Sequence, residues 1–217
     1  MSDLSIAAAP GEPLSAWFSA ERRVAGVREQ RFECTSHGDR VSGKLWRPEG
    51  RAEDPLVLAV HELARAASDP SIEAAARCWA TSGWATAAVD LPLHGERHNA
   101  KLSRRAIAAA ADAGASASDR ELWRSLVAQS VRDLARALDA LLASGGFDAA
   151  GIASVAFGSS APIARAHANL DARVRCVAAI GAEPSGQIQG RTQAKTLSWL
   201  TRPDDLVPLL AAARDRR

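Results

Sequence analysis

The sequence predicts an α/β protein: a mostly parallel central sheet, an N-terminal antiparallel hairpin, and helices on both faces. Three observations carry that prediction. Alternating segments at 31–35 and 41–46 flank a Gly-Asp turn, as the arms of a hairpin do. Continuous apolar runs such as Leu56-Val57-Leu58-Ala59-Val60 then recur with helical segments between them. A strand that is apolar at every position is covered on both faces, as parallel strands between helix layers are. One such run, Ile152-Ala153-Ser154-Val155-Ala156-Phe157, ends in Gly158-Ser159-Ser160 and opens a helix at Ala161-Pro162.

In chain order, residues 1–13 are expected to be a flexible tail and 14–217 a single domain, since 217 residues suffice for one sizeable core. Leu14, Trp17, Phe18 and Val24 recur at helical spacing and predict a helix over about 14–25. The hairpin follows and ends at Pro48 and Gly50. After the strand at 56–60, Asp69 and Pro70 supply an N-cap and a first-turn proline, and Gly83 ends that helix. A buried strand at 84–89 completes a βαβ unit, so the two strands should run parallel.

The polar, alanine-rich segment 99–117 reads as a mobile insertion. Ser118-Asp119-Arg120-Glu121 has the form of a capping box, and a helix behind it runs to Ala143, stopped by Gly145-Gly146. Beyond the strand at 152–157 come a helix to Leu170, a strand at 174–180, a polar loop at 183–194 and a last strand at 196–200. Residues 201–208 then lead into a short final helix.

A net charge of +2, with both signs interspersed, points to neither a nucleic-acid nor a membrane surface. Cys34, Cys78 and Cys176 are odd in number and far apart, without metal-site spacing. They fit reduced thiols in a cytoplasmic protein. The first residues lack the cationic start and apolar run of a signal peptide. No metal or other cofactor is expected; His94 and His98 have ligand-like spacing but fall in a loop holding Pro92 and Gly95.

The turn at 156–160 is of nucleophile-elbow type, in which G-x-S-x-G holds a serine at a strained strand-to-helix apex. Small residues are needed two before and two after the apex, and Ala156 and Ser160 meet that rule. The apex itself is then Gly158, which has no side chain. Two other hydroxyls are close. A register shifted by two reads Gly158-Ser159-Ser160-Ala161-Pro162 and makes Ser160 the nucleophile. Ser159 at the apex would put the bulky Phe157 at a small-residue position. Both serines also suit a third role, capping the N-terminus of the helix that follows.

With Asp90-Leu91-Pro92-Leu93-His94-Gly95-Glu96-Arg97 after a central strand, Val60-His61-Glu62-Leu63 after another, Arg132-Asp133-Leu134 before the elbow and Asp204-Asp205-Leu206-Val207-Pro208 near the end, the chain from about residue 30 onward resembles an α/β-hydrolase of the dienelactone hydrolase and small bacterial esterase type. That resemblance implies carboxylic-ester hydrolysis by a serine, a histidine base and an acid, with backbone N–H donors for the oxyanion. It makes Asp204 the acid and the oxyanion donors the N–H of Ser159 and an N–H at Glu62 or Leu63. His61 and His94 become pocket residues, the most common role of such histidines being to brace loops. His167 on the helix after the elbow is expected at the surface, and His37 in the hairpin turn is expected to be solvated.

Two departures stand out against that pattern. Gly158 replaces the serine, and Glu62 stands where the family favours glycine, its carboxylate set to oppose an oxyanion. The resemblance places the base after a further strand, past Arg217, so a C-terminally shortened fold without that histidine is expected. The reading is therefore a hydrolase-type chain with disabled triad chemistry, serving by binding or partner contact or as a truncated product. The alternative is an active esterase using Ser160 or Ser159 with a histidine such as His61 or His94, or one from another chain. The partners expected are a small ester or acyl ligand and a second copy of the chain, paired through an open sheet edge.

Overall fold

The computed structural model describes residues 5–8, 11–50, 53–112, 114–181, 197–200, 205, 206 and 208, the segment 197–200 by its backbone alone. The described strands are β1 (Trp17–Phe18), β2 (Arg22–Val24), β3 (Val27–Ser36), β4 (Asp39–Pro48), β5 (Asp54–Val60), β6 (Ala85–Val89), β7 (Phe147–Phe157), β8 (Val174–Ile180) and β9 (Leu197–Leu200). They form one sheet in the order β1-β3-β4-β6-β5-β7-β8-β9, with β2 also on β3. From β6 to β9 every pairing is parallel, and β4 joins that block antiparallel to β6. Among the described residues the helices that accompany them are α1 (Pro70–Thr81), α2 (Ala100–Ala111), α3 (Ala117–Ser144) and α4 (Ala161–Leu170).

Alternation along β5 explains its unbroken apolar run. Leu56, Leu58 and Val60 pack into one core with Leu134, Leu138 and Leu141 of α3 and Ile163 and Ala164 of α4. Val57 and Ala59 face the other way, into a core with Ile72, Ala76 and Trp79 of α1. Successive side chains of a strand point to opposite faces, so a helix layer on each side demands apolar residues at every position. The α1 cap is as the sequence predicts: Asp69 accepts from the Ser71 N–H, and Pro70 sits in the first turn.

The hairpin is tighter than its sequence suggested. Only His37 and Gly38 separate β3 from β4, at φ 51° and 80°, the two left-handed residues of a type I′ turn. His37, expected to be solvated, is only half-exposed there.

The helix expected over 14–25 is not formed. Trp17 and Phe18 pair with Glu33 and Phe32 as β1, and β2 pairs further along the same strand. An open edge on β3 gave this segment backbone partners, and the Phe18 ring stacks on Phe32 with centroids 5.9 Å apart. The segment expected to be a mobile insertion is likewise ordered as α2. Asn99 caps it by accepting from the Leu102 N–H, and Ala106 and Ala109 are buried. Behind it, α3 is capped by Ser116 rather than Ser118, with Ser116 accepting from the Asp119 N–H.

The loops after β5, β6 and β7 leave the sheet at its C-terminal edge, where sites form in open α/β sheets. No described helix is long and apolar enough to cross a membrane.

Candidate active site

The apex is built by β7 and the turn after it. Ala156 is fully buried, in register with Val60 of β5 on one side and Ala179 of β8 on the other. Strand geometry ends at Phe157, and Gly158–Ser160 form a single 3-10 turn that leads into α4. Gly158 itself has φ +54°, in the left-handed region that costs glycine least.

Across from it stands Glu62. A β-carbon on Gly158 would come within 2.6 Å of Glu62 Cδ and 3.0 Å of Cγ, with Oε1 nearer still. The carboxylate therefore occupies the volume into which an apex side chain would project. It does so beside the first turn leading into α4, where the helix dipole favours negative charge. Glu62 was singled out in the sequence for its charge near the oxyanion loop; that its side chain fills the apex was not read there.

The two serines differ sharply. Ser160 is fully buried, and its hydroxyl lies 2.9 Å from the carbonyl oxygens of both Val60 and Phe157, which share its single proton. It ties the elbow to the end of β5 and makes no side-chain cap bond to α4. Ser159 is exposed. Of the donors the sequence proposed, Leu63 is buried and Glu62 exposed, and the Glu62 carbonyl accepts from the Arg65 N–H at 3.1 Å. Asp204, the expected acid, lies outside the described residues.

His61 is fully buried with both ring nitrogens engaged. Nδ1 lies 2.8 Å from the Glu62 carbonyl, which can only accept, so Nδ1 carries the proton. Nε2 then accepts from the Leu91 N–H at 3.0 Å, tying the loop after β5 to the loop after β6. Burial drives its pKa down to about 4, so the ring is neutral at physiological pH. His94 sits beside it, ring centroids 5.5 Å apart, and holds its own loop through Nδ1 and the Pro92 carbonyl at 2.8 Å. Burial lowers the His94 pKa as well.

Asp90 is the anchor of the loop after β6. Its carboxylate accepts from the Ala67 N–H at 2.8 Å, the Glu96 N–H at 3.0 Å and the Ser42 hydroxyl at 3.4 Å. Gly95, at φ +53°, lies so close that any β-carbon there would strike the Asp90 carboxylate. Arg97 closes the segment by pairing with Asp133 of α3 at 2.5 Å and Asp39 at 3.3 Å. Asp133 is fully buried, and desolvation raises its pKa despite that partner. His167, expected at the surface, is fully buried with Nε2 3.6 Å from Asp171. It lies on the face of α4 that packs inward with Ile163 and Ala164.

No protein-family model and no curated protein matches the sequence. Solved structures do share its architecture. A cold-adapted esterase from an Arctic intertidal metagenomic library aligns at 24% identity and a TM-score of 0.57, over 74% of this chain and 62% of that one. Acetyl xylan esterase 1 from a Thermoanaerobacterium species aligns at 14% identity and a TM-score of 0.58, over 79% and 53%. An acetyl xylan esterase from Paenibacillus sp. R4 aligns at 17% identity and a TM-score of 0.56, over 79% and 54%.

The fold is the α/β-hydrolase fold. At these identities the likeness concerns architecture alone, and the aligned region spans less than two thirds of each of those proteins. Within the α/β-hydrolase fold the elbow is where a nucleophile would be presented. Here it presents a glycine with a carboxylate folded over it, an exposed serine one residue on, and a second serine whose hydroxyl is bound to backbone. Among the described residues no cluster of three or more histidine, cysteine or carboxylate side chains could hold a metal ion.

Proposed function

We propose that the chain stems from carboxylic-ester hydrolases of the dienelactone hydrolase and small esterase kind, and that its Ser-His-Asp chemistry is disabled. What remains is a cytoplasmic protein with a binding role toward a small ester or acyl ligand. The observation that carries this reading is the Glu62 carboxylate in the space of an apex side chain at Gly158. A nucleophilic enzyme needs a hydroxyl at that point, activated by a base and facing oxyanion donors. A negative charge there repels the oxyanion that acyl transfer must build.

The alternative nucleophiles gain little from their surroundings. The Ser160 hydroxyl is buried and committed to two carbonyl groups, and His61 has no ring nitrogen left to act as a base. The test is turnover of p-nitrophenyl acetate by the unmutated chain beside Ser159→Ala and Ser160→Ala. All three should run at the same rate, near the uncatalysed background. Turnover well above background that disappears in either variant would overturn the proposal.

A further inference from the structure

The loop after β5 is fixed at both ends and latched in the middle. At its start the Val60 carbonyl accepts from Ser160 at 2.9 Å, and at its end the Ala67 N–H donates to Asp90 at 2.8 Å. Between those points His61 joins it to the loop after β6, its Nε2 accepting the Leu91 N–H. Glu62, the next residue, holds the space over Gly158. Its carbonyl accepts from the Arg65 N–H, which folds 62–65 into one turn. Within that turn Ala64 stands at φ +69°, and Leu93 in the loop after β6 at φ +66°. Left-handed backbone at such residues is strained and persists only where surroundings enforce it. The segment is a short strap between two anchors, closed over the elbow by an imidazole bond.

That bond depends on the charge of the ring. His61 Nδ1–H donates to the Glu62 carbonyl, so Nε2 accepts only while it carries no proton. Once it is protonated, Nε2–H and the Leu91 N–H are two donors 3.0 Å apart, and the bond is lost. Burial dominates the titration of the ring and holds it neutral. The Glu62 carbonyl, Asp90 and Asp69 favour the imidazolium, and His94 opposes it, all more weakly. Among the described residues these are the groups that act on the ring from its own loop, the loop after β6 and the start of α1. The ring takes up a proton readily only once it reaches water, so falling pH favours the open loop.

We propose that His61 is an acid-released latch: protonation frees Leu91, residues 61–66 swing away, and Glu62 leaves Gly158 uncovered. Leu63, buried in the core, adds to the cost of opening and keeps the strap closed at neutral pH. Such a latch rests on the reading of Glu62 as the cover of the elbow, and adds the condition under which that cover lifts.

The experiment is amide hydrogen exchange of the full chain, followed by NMR at pH 7 and pH 5. Leu58, in mid-sheet between β6 and β7, is the reference for opening of the whole fold. Leu91 should be at least roughly 10-fold less protected than Leu58 at both pH values, as a local opening requires. With the ring at about 4 when closed and 6.5 in water, the Leu91 protection factor should fall roughly 20-fold between pH 7 and pH 5. In His61→Asn that fall should shrink below about 2-fold. Glu62→Ala should lower Leu91 protection roughly 2- to 5-fold at pH 7, because the carboxylate gives up its place beside α4 on opening. Should His61→Asn fail to fold, the unmutated chain and Glu62→Ala still decide. The proposal is overturned if Leu91 and Leu58 are equally protected, if Leu91 protection is the same at pH 7 and pH 5, or if Glu62→Ala leaves it unchanged. Ester turnover plays no part in these readouts, so the latch and the loss of serine chemistry stand or fall separately.

Discussion

Gly158→Ala is the smallest change that probes the apex. Two costs follow from the structure. At φ +54° an L-residue loses roughly 1–2 kcal/mol relative to glycine. The new β-carbon would also stand 2.6 Å from Glu62 Cδ, so the carboxylate must leave. Glu62 is exposed, and it can swing into water without a steric price. What it forfeits is its place at the helix N-terminus, worth about 0.3–1 kcal/mol. In urea denaturation Gly158→Ala should therefore cost about 1.3–3 kcal/mol, but only about 1–2 kcal/mol in a Glu62→Ala background. The cycle of the four proteins should show a coupling of roughly 0.3–1 kcal/mol. If Gly158→Ala costs the same in both backgrounds, the carboxylate does not occupy that space and the reasoning fails.

Three further outcomes are expected. His61 is held neutral, its pKa near 4 against the usual 6.5, so the unfolded chain takes up the proton first as pH falls. Its contribution is complete above pH 6.5 and is lost as pH falls toward 4. Between pH 7 and 5 this amounts to about 2 kcal/mol of unfolding free energy, a slope that His61→Asn should flatten. Ser160→Ala should destabilise by about 1 kcal/mol through loss of its bond to the Val60 and Phe157 carbonyls, seen as a lower urea midpoint. Arg97→Met should cost about 3–5 kcal/mol, because Asp133 is left buried without its cation. Adding Asp133→Leu to Arg97→Met should recover part of that loss, whereas equal stability of the single and double variants would count against the pair.

What could be read from the sequence was decided locally. The apolar runs of β5, β7 and β8 carry their own evidence, since each must be covered on both faces. So does α1, whose Asp69-Pro70 start needs no distant partner. The N-terminal segment was misread because Leu14, Trp17, Phe18 and Val24 fit a helical period, while the free edge of β3 that captures Trp17 and Phe18 is a non-local fact. The α2 segment was misread for a related reason. Its alanines look indifferent in sequence, and become core only where α3 gives Ala106 something to lie against. At the elbow, the strand-to-helix turn at Gly158, between the small Ala156 and Ser160, was legible from their spacing. The role of Glu62 was not, since it depends on two loops meeting in space. A signal existed in volume: the pattern that the sequence resembles has a side chain at the apex and glycine in the facing loop, and this chain has the reverse. Under the proposed reading the two departures compensate each other in volume, since Glu62 takes the space that Gly158 leaves.

The central claim is that no activated serine stands at this elbow. It is tested most directly by incubating the unmutated chain with a serine-directed fluorophosphonate and mapping adducts by mass spectrometry of its peptides. No adduct is expected on the peptide carrying Ser159 and Ser160, even after prolonged exposure. A stoichiometric phosphonyl adduct on either serine would contradict the claim and restore the chain to the active esterases.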